Sequence, residues 1–289
     1  MKLSLTFAIG ILCASSIAGA PVPSAHAADD EASLRQADQA AFATGKISPA
    51  LNDSLLDNNF SWTDTSGHTR NKSEILEAIR SNKHWTVEAG ILLAHAHGQV
   101  GIIQENGEKV YVLRIWIKRD TNWRLLIYQS VAIGAPPSAA SDNEICNNPC
   151  NTVPFHPQNE DERAVIHAYQ AVERAVTAHD SAAWGSHIAD EFFAVTSNSD
   201  RPLDKTTRMA GLDNRKVGGI APFPLLWARM FQFGDTMVMT SHQEPIHGSL
   251  LHVTRVWFKR NGQWLEAYSY QTTIQAAASS HKTRKETAR

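Results

Sequence analysis

The chain is short of cysteine, of charge imbalance and of long apolar runs, and each shortage excludes something. Three cysteines in 289 residues are too few for a disulfide-scaffolded fold. The 27 Lys and Arg nearly balance 29 Asp and Glu, so the basic excess that selects nucleic acid is missing. The one basic block, "HKTRKE" at 281–286, reads as part of a solvated, disordered tail over 277–289. Past the N-terminal leader no run approaches the roughly 20 apolar residues that span a bilayer. No G-x-S-x-G elbow, phosphate-binding P-loop, dinucleotide fingerprint or zinc signature occurs, which leaves no cofactor or metal to expect.

What is present starts with that leader. Lys2 precedes an apolar run over 3–19, and Ala25-His26-Ala27 supplies small residues at the cleavage positions. Residues 1–27 therefore read as a signal peptide, removed after Ala27. The mature protein is expected to be periplasmic or secreted, with no stable membrane insertion. Cys13 leaves with the leader. Cys146 and Cys150, in "NEICNNPCN", then read as a disulfide in an oxidising compartment. Free thiols are a second reading. A metal site is a third, but it needs about four ligands and only His156 lies near. So small a loop is expected to stiffen a linker and to leave the fold largely unaffected.

The chain also repeats itself. "LRIWIKRDTNWRLLIYQ" at 113–129 returns as "TRVWFKRNGQWLEAYSYQ" at 254–271. This late block pairs Arg114 with Arg255, Trp116 with Trp257, Lys118 with Lys259 and Trp123 with Trp264. An early block pairs Phe60 with Phe193, Ser66 with Ser199 and Lys72 with Lys205. Unit two carries an insertion between the blocks, around "KVGGIAPFP". The Pro-, Asn- and Ser-rich stretch 135–159 reads as a linker between a first domain at 28–134 and a second at 160–276. So long a period marks a duplicated domain, not a solenoid.

Each unit opens with a helix and a second short helical stretch, "SPALNDSLLDNNF" or "SAAWGSHIADEFF". A short strand, a turn and a capped helix follow. Asn71 with Glu74 fits a capping box, and Asp204 can cap the matching helix. The remainder alternates as strands, with hairpin turns at Asp120 and at Asn261-Gly262. Helices followed by an antiparallel meander make an α+β domain. In "VYVLRIWIK", Val112, Arg114 and Trp116 share one face, and Leu113, Ile115 and Ile117 share the other. Both faces are apolar enough to need cover. The unit's own helices cover one, and the second repeat can cover the other.

"DNNFSWTDTSGHTRNKSEIL", followed by R-x-W-x-K-R-x-x-x-W and "QSVAI", resembles the nuclear transport factor 2-like superfamily, nearest its SnoaL-like and ketosteroid isomerase-like branch. The resemblance covers both units. Unit two departs from it at Ser197, where Asp64 stands in unit one, and at Tyr270, which falls at the Gln129 position. The resemblance implies two tandem cone-shaped α+β barrels. In each, a curved sheet wraps a helix around an apolar pocket. It also implies sheet-to-sheet packing as an internal pseudo-dimer, hence a monomer or weak oligomer. Members include isomerases, dehydratases and non-catalytic binders, so the fold leaves function open.

Candidate site residues each fit two roles. Asp64 is a general base at a pocket rim or a cap on the amides of its own "DTSG" turn. Arg114 and Arg255 clamp a ligand carboxylate or stabilise an enolate, or they form internal ion pairs or stack on Trp. His95 and His97 share a strand face, as metal ligands or as a solvent-facing or packed pair; His242, His247 and His252 form a second loose group. Tyr128, Gln129, Tyr268 and Tyr270 lie on the last strands, as hydroxyl or amide donors to a substrate or as interface packing. Trp62, Trp116 and Trp257 read as core and pocket wall. The expected partner is a small, largely apolar molecule. The competing functions are an acid–base isomerase, lyase or hydrolase with Asp64, Arg114 and Tyr270 as its catalytic groups, and a non-catalytic interaction module.

Overall fold

The helix-then-strand order gives two sheets of identical connectivity. The computed structural model describes residues 25–42, 51–81, 90–134, 146–214, 223–244 and 249–275. The leader up to residue 24, the tail beyond 275 and the core of the unit-two insertion at 215–222 lie outside the described residues. So does His247.

The first half comprises α1 (Ala25–Phe42), β1 (Leu56–Thr63), β2 (Thr69–Asn71), α2 (Lys72–Arg80), β3 (Ile91–His97), β4 (Val100–Asn106), β5 (Val110–Arg119) and β6 (Asn122–Ala132). The second comprises α3 (Glu160–Ala178), α4 (Ser181–Ser186), β7 (Ile188–Thr196), β8 (Leu203–Asp204), α5 (Lys205–Asp213), β9 (Leu225–Phe233), β10 (Thr236–Gln243), β11 (Leu251–Arg260) and β12 (Gln263–Thr273). The sheets run β2-β1-β6-β5-β4-β3 and β8-β7-β12-β11-β10-β9. In each, the first long strand joins the last in parallel and the other pairs are antiparallel.

Local chemistry places the ends. Asn71 and Glu74 form the capping box of α2, and Asp204 accepts from the Thr207 amide to cap α5. The β5–β6 and β11–β12 hairpins turn at Asp120 and Asn261, both in the left-handed region with φ 56° and 52°, as such turns demand. The two short helical stretches give way to strand sooner than expected: in the second, α4 covers Ser181–Ser186 before β7 begins, and in the first β1 begins at Leu56. Leu56 and Ile188 begin β1 and β7, because each pairs with a buried residue of the last strand, Leu125 and Glu266.

The two faces of the repeated strand part as its parity implies. Val112 and Trp116 pack inward with Leu34 and Phe42 of α1. Leu113, Ile115 and Ile117 pack outward against Val238, Val256, Phe258 and Tyr268 of the other half. The sheets therefore meet face to face, and a third cluster fills the second half around Tyr169 and Trp257. Two matched turns lock the junction. The Gln275 amide donates to the Ser66 carbonyl at 2.9 Å, and the Gly134 amide donates to the Ser199 carbonyl at 3.0 Å. At Gly67 (φ 76°) a Cβ would lie 2.6 Å from the Ile274 Cα, so only glycine lets the chains approach there.

Register corrects one repeat pairing. Trp62 lies beside Tyr128, and Ala194 lies beside Ser269. Ser269 occupies the Tyr128 position of the late block, so Ala194 occupies that of Trp62. Phe60 then matches Phe192, which is buried inward, and not Phe193, which faces the junction. A one-residue slip between adjacent phenylalanines exchanges faces.

Cys146 and Cys150 form a disulfide, with Cα atoms 5.5 Å apart. The loop docks rather than dangles. Asn148 exchanges two 3.1 Å hydrogen bonds with the Leu225 backbone at the start of β9, and the Cys150 carbonyl accepts from Arg174 of α3.

Candidate functional site

Inward alternation on β5 sets Arg114 and Trp116 side by side, facing α1. There the helical spacing of Leu34, Asp38 and Phe42 brings one carboxylate and one ring to them. Asp38 accepts from Arg114 Nε at 2.8 Å, from Arg114 Nη2 at 3.0 Å and from Trp116 Nε1 at 3.0 Å. Arg114 Nη1 donates to Glu105 at 2.6 Å, and its guanidinium lies 4.6 Å from the Phe42 ring centre. Burial pushes the Asp38 carboxyl up, against the pull of Arg114. Burial likewise opposes the Arg114 charge, but Asp38 and Glu105 outweigh it and raise the guanidinium further. Trp62 stacks on Tyr128 at 3.5 Å, 7° from parallel. Every nitrogen of Arg114 is engaged, and the Phe42 ring packs against both Trp62 and Tyr128.

The second half builds the same site differently. Asp161 bonds Lys259 at 2.6 Å as Asp30 bonds Lys118 at 2.5 Å, which anchors α3 on α1. Counting along the helices from that anchor, Tyr169 stands where Asp38 stands, and Glu173 where Phe42 stands. The ring and the carboxylate have exchanged places. Arg255 lies 4.9 Å from the Tyr169 ring centre, with Glu173 at 3.8 Å and Glu266 at 3.2 Å. Its Nη2 donates to Gln243, which in turn donates to the Tyr169 hydroxyl.

The exchange leaves donors over. Arg255 Nη1, Trp257 Nε1 and the Ser241 hydroxyl are buried and have no hydrogen-bond partner. All three lie on the inner face, on neighbouring strands. The stacked Trp62 and Tyr128 of the first half are replaced here by Ala194 and Ser269, and Ala194, Met209 and Met230 are half-buried at the edge of the cluster. Burial pushes Glu266 up to about 7 despite Arg255, with Glu173 adding to the rise. Glu173 is raised for the same first reason. One interior thus holds a saturated guanidinium. The other holds a guanidinium with a spare N–H beside a carboxyl that titrates near neutrality.

The structure scatters the other residues singled out in the sequence. Asp64 accepts from the amides of Ser66 and His68 and pairs with Arg70 at 2.8 Å, so it organises the turn whose Ser66 carbonyl meets the second half. Tyr268, Tyr270 and Gln129 face the junction. The Tyr270 hydroxyl accepts from Gln104 at 3.2 Å, and Tyr268 meets Phe258 edge-on. His95 is half-exposed, 3.9 Å from Glu31, and His97 packs on Phe258 at 4.1 Å. Among the described residues no group of three or more His, Cys, Asp or Glu is placed to hold a metal ion.

Asp38, Glu105, Glu173 and Glu266 were not singled out in the sequence. Glu266 left one signal: it interrupts an apolar strand where the first repeat has Leu125.

No family model matches the chain, and no curated protein does. Solved structures do. An NTF2-like protein from Cytophaga hutchinsonii is 16% identical and covers 40% of this chain and all of its own, with a TM-score of 0.35. A putative dehydratase of the NTF2-like family from Streptomyces avermitilis is 18% identical over 40% of this chain and 97% of its own, TM-score 0.34. The CamKII hub homology domain of Chlamydomonas reinhardtii is 12% identical over 40% of this chain and 100% of its own, TM-score 0.35. Two α+β halves stand in tandem, and the solved structures similar to them include several NTF2-like proteins. Among the described residues no helix is long and apolar enough to cross a membrane.

Proposed function

We propose that this is an exported binding protein for a small, largely apolar molecule bearing one carboxylate or carbonyl, taken up inside the second half. The observation that carries the reading is the unpaired Arg255 Nη1 and Trp257 Nε1, set against their fully engaged counterparts Arg114 and Trp116. In the first half one carboxylate oxygen of Asp38 serves Arg114 and Trp116 together. A ligand oxygen would do that work in the second half, where Tyr169 has replaced the aspartate. Leaving such donors unmet costs about 1–3 kcal/mol each, and a ligand acceptor recovers that. Ala194 and Ser269 are smaller than the two rings that the first half has at these positions, and the flexible Met209 and Met230 can re-pack around an apolar body. The domain limits at 28–134 and 160–276, the leader at 1–27 and export belong to the same proposal. The disulfide is consistent with an oxidising compartment.

Titration calorimetry of the mature chain with octanoate tests it. One site per chain is expected, lost in Arg255→Met and weakened several-fold in Trp257→Phe. Binding that survives both changes would overturn the assignment. Native mass spectrometry of protein taken from its host's exported fraction checks the leader, because a mature chain beginning at Ala28 is required.

Glu266 favours a second reading, acid–base catalysis in the same interior. A carboxyl titrating near 7 beside Arg255 suits proton transfer next to a carbonyl. Protein-dependent deuterium exchange at the α-carbon of a bound ketone, abolished in Glu266→Gln, would support it. No exchange in the native protein would leave simple binding.

A further inference from the structure

A cleft of about 250 Å³ opens at the junction of the halves, away from both interiors. One wall is Asn59, Ser61 and Thr69 from the first half's edge. The other is the outer face of β9, β10 and β11. Cross-strand register puts Trp227, His242 and His252 in one row there, with ring centres 5.2 and 5.4 Å apart. Trp227 is 44% exposed at one end and His252 is 2% exposed at the other.

Two features point to a ligand. Both ring nitrogens of His252 lack a partner although the residue lines the cleft. Burial holds that imidazole neutral, its pKa pushed down to about 3, so it offers one donor and one acceptor. Arg229 also lines the cleft. Its guanidinium lies over Phe231 at 4.6 Å and donates to the neutral amide of Asn59, and no carboxylate pairs with it among the described residues. Arg70 pairs with Asp64, and Glu74 accepts from the Asn71 amide at the start of α2. Arg229 is the cation that sits beside the flat rings without a carboxylate on it.

The matching positions of the first half carry neither the cation nor the imidazoles. Counted through the paired strands, Ile91, Asn106 and Tyr111 stand for Trp227, His242 and His252, and Leu93 stands for Arg229. Tyr111 is the one ring among them; the cation, the tryptophan and the imidazoles belong to one copy only, so the shared fold does not require them. At about 30 Å³ per water, the space suits a molecule of one or two rings.

We propose that this cleft is a second binding site, for a small aromatic carboxylate whose ring lies along Trp227, whose carboxylate meets Arg229 and whose polar edge meets His252. The site is independent of Arg255 and of the ligand assigned to the second interior.

The test uses the whole mature chain with 2-naphthoate and its neutral counterpart 2-naphthamide, followed by calorimetry and by ¹⁵N shifts of the histidine rings. One site that depends on Arg229 is expected, with His252 shifted at its saturation, beside any binding in the second interior that Arg255→Met removes. Affinity should fall about tenfold or more for the amide and in Arg229→Gln, while Arg255→Met leaves it unchanged. Arg229 is exposed, so its replacement does not threaten folding; Trp227→Ala is the second variant and should also weaken binding. The proposal fails if millimolar 2-naphthoate does not bind, if His252 stays unmoved, or if acid and amide bind equally. Binding lost in Arg255→Met but kept in Arg229→Gln would place the probe in the second interior, which overturns the cleft and upholds the proposed function.

Discussion

Gln129 donates through Nε2 to the backbone carbonyl of Tyr270 at 3.1 Å, and Tyr270 is the residue that holds Gln129's own place in the second repeat. Matched positions touch, so the pseudo-twofold axis relating the halves passes between them. The same amide nitrogen also lies within reach of the Thr272 hydroxyl and the His252 carbonyl. Gln129→Leu should cost about 1–3 kcal/mol in urea denaturation, with an unchanged m-value. No loss would mean the amide is dispensable to the junction.

The two buried arginines should respond differently to removal. Arg114→Met strands Asp38 and Glu105 without a cation and should cost about 3–5 kcal/mol. Arg255→Met leaves Glu266, which already holds its proton near neutrality, and should cost less at pH 6 than at pH 8. Equal costs for Arg114→Met and Arg255→Met, independent of pH, would contradict the contrast between the interiors.

Glu266 makes stability fall as pH rises. Its folded pKa of about 7 exceeds its ordinary value of 4.5, so the folded state keeps a proton that the unfolded chain has lost. The contribution is full below pH 4.5 and is lost through pH 7, by up to about 3 kcal/mol. Glu266→Gln should remove that slope in melting curves taken from pH 4.5 to 8.

His97 gives the opposite slope. Burial depresses it to about 4 from 6.5, with Glu191 resisting, so the unfolded chain binds the extra proton. Stability is full above 6.5 and falls as pH drops toward 4. His97→Phe keeps the ring against Phe258 and should make the acid limb shallower, the remainder belonging to His252, which is depressed to about 3. Between pH 4.5 and 6.5 the slope of Glu266 opposes those of His97 and His252, so Glu266→Gln should steepen the acid limb.

Asp64 should matter for assembly of the halves. It holds the turn that offers the Ser66 carbonyl to Gln275. Asp64→Ala should cost about 1–2 kcal/mol and leave octanoate binding unchanged; lost binding with an unaltered melting temperature would restore it as a site residue.

The repeated strand made the architecture legible. Arg114 and Trp116 on one parity and Leu113, Ile115 and Ile117 on the other require two covers, and both exist. Asn71 with Glu74, and Asn261 with Gly262, announced their cap and turn because those chemistries are local. Parity could not say which face turns inward. The side taken by Tyr268 and Tyr270, and the choice between Phe192 and Phe193, therefore waited on register. The carboxylates around the arginines were hidden for a related reason. Asp38 and Glu173 look like solvent-facing residues on half-polar helices, and only the position of the guanidinium distinguishes them from their neighbours.

In a symmetric pair of separate chains, a residue on the axis meets its own copy, so any substitution there is imposed on both sides at once. Joining the halves in one chain removes that bond between them. A glutamine can face a tyrosine's backbone, a ring and a carboxylate can trade places on one helix only, and one sheet alone can carry Trp227 and Arg229. The molecule is in effect a heterodimer of fixed one-to-one composition, in which one partner can be surrendered to stability while the other varies.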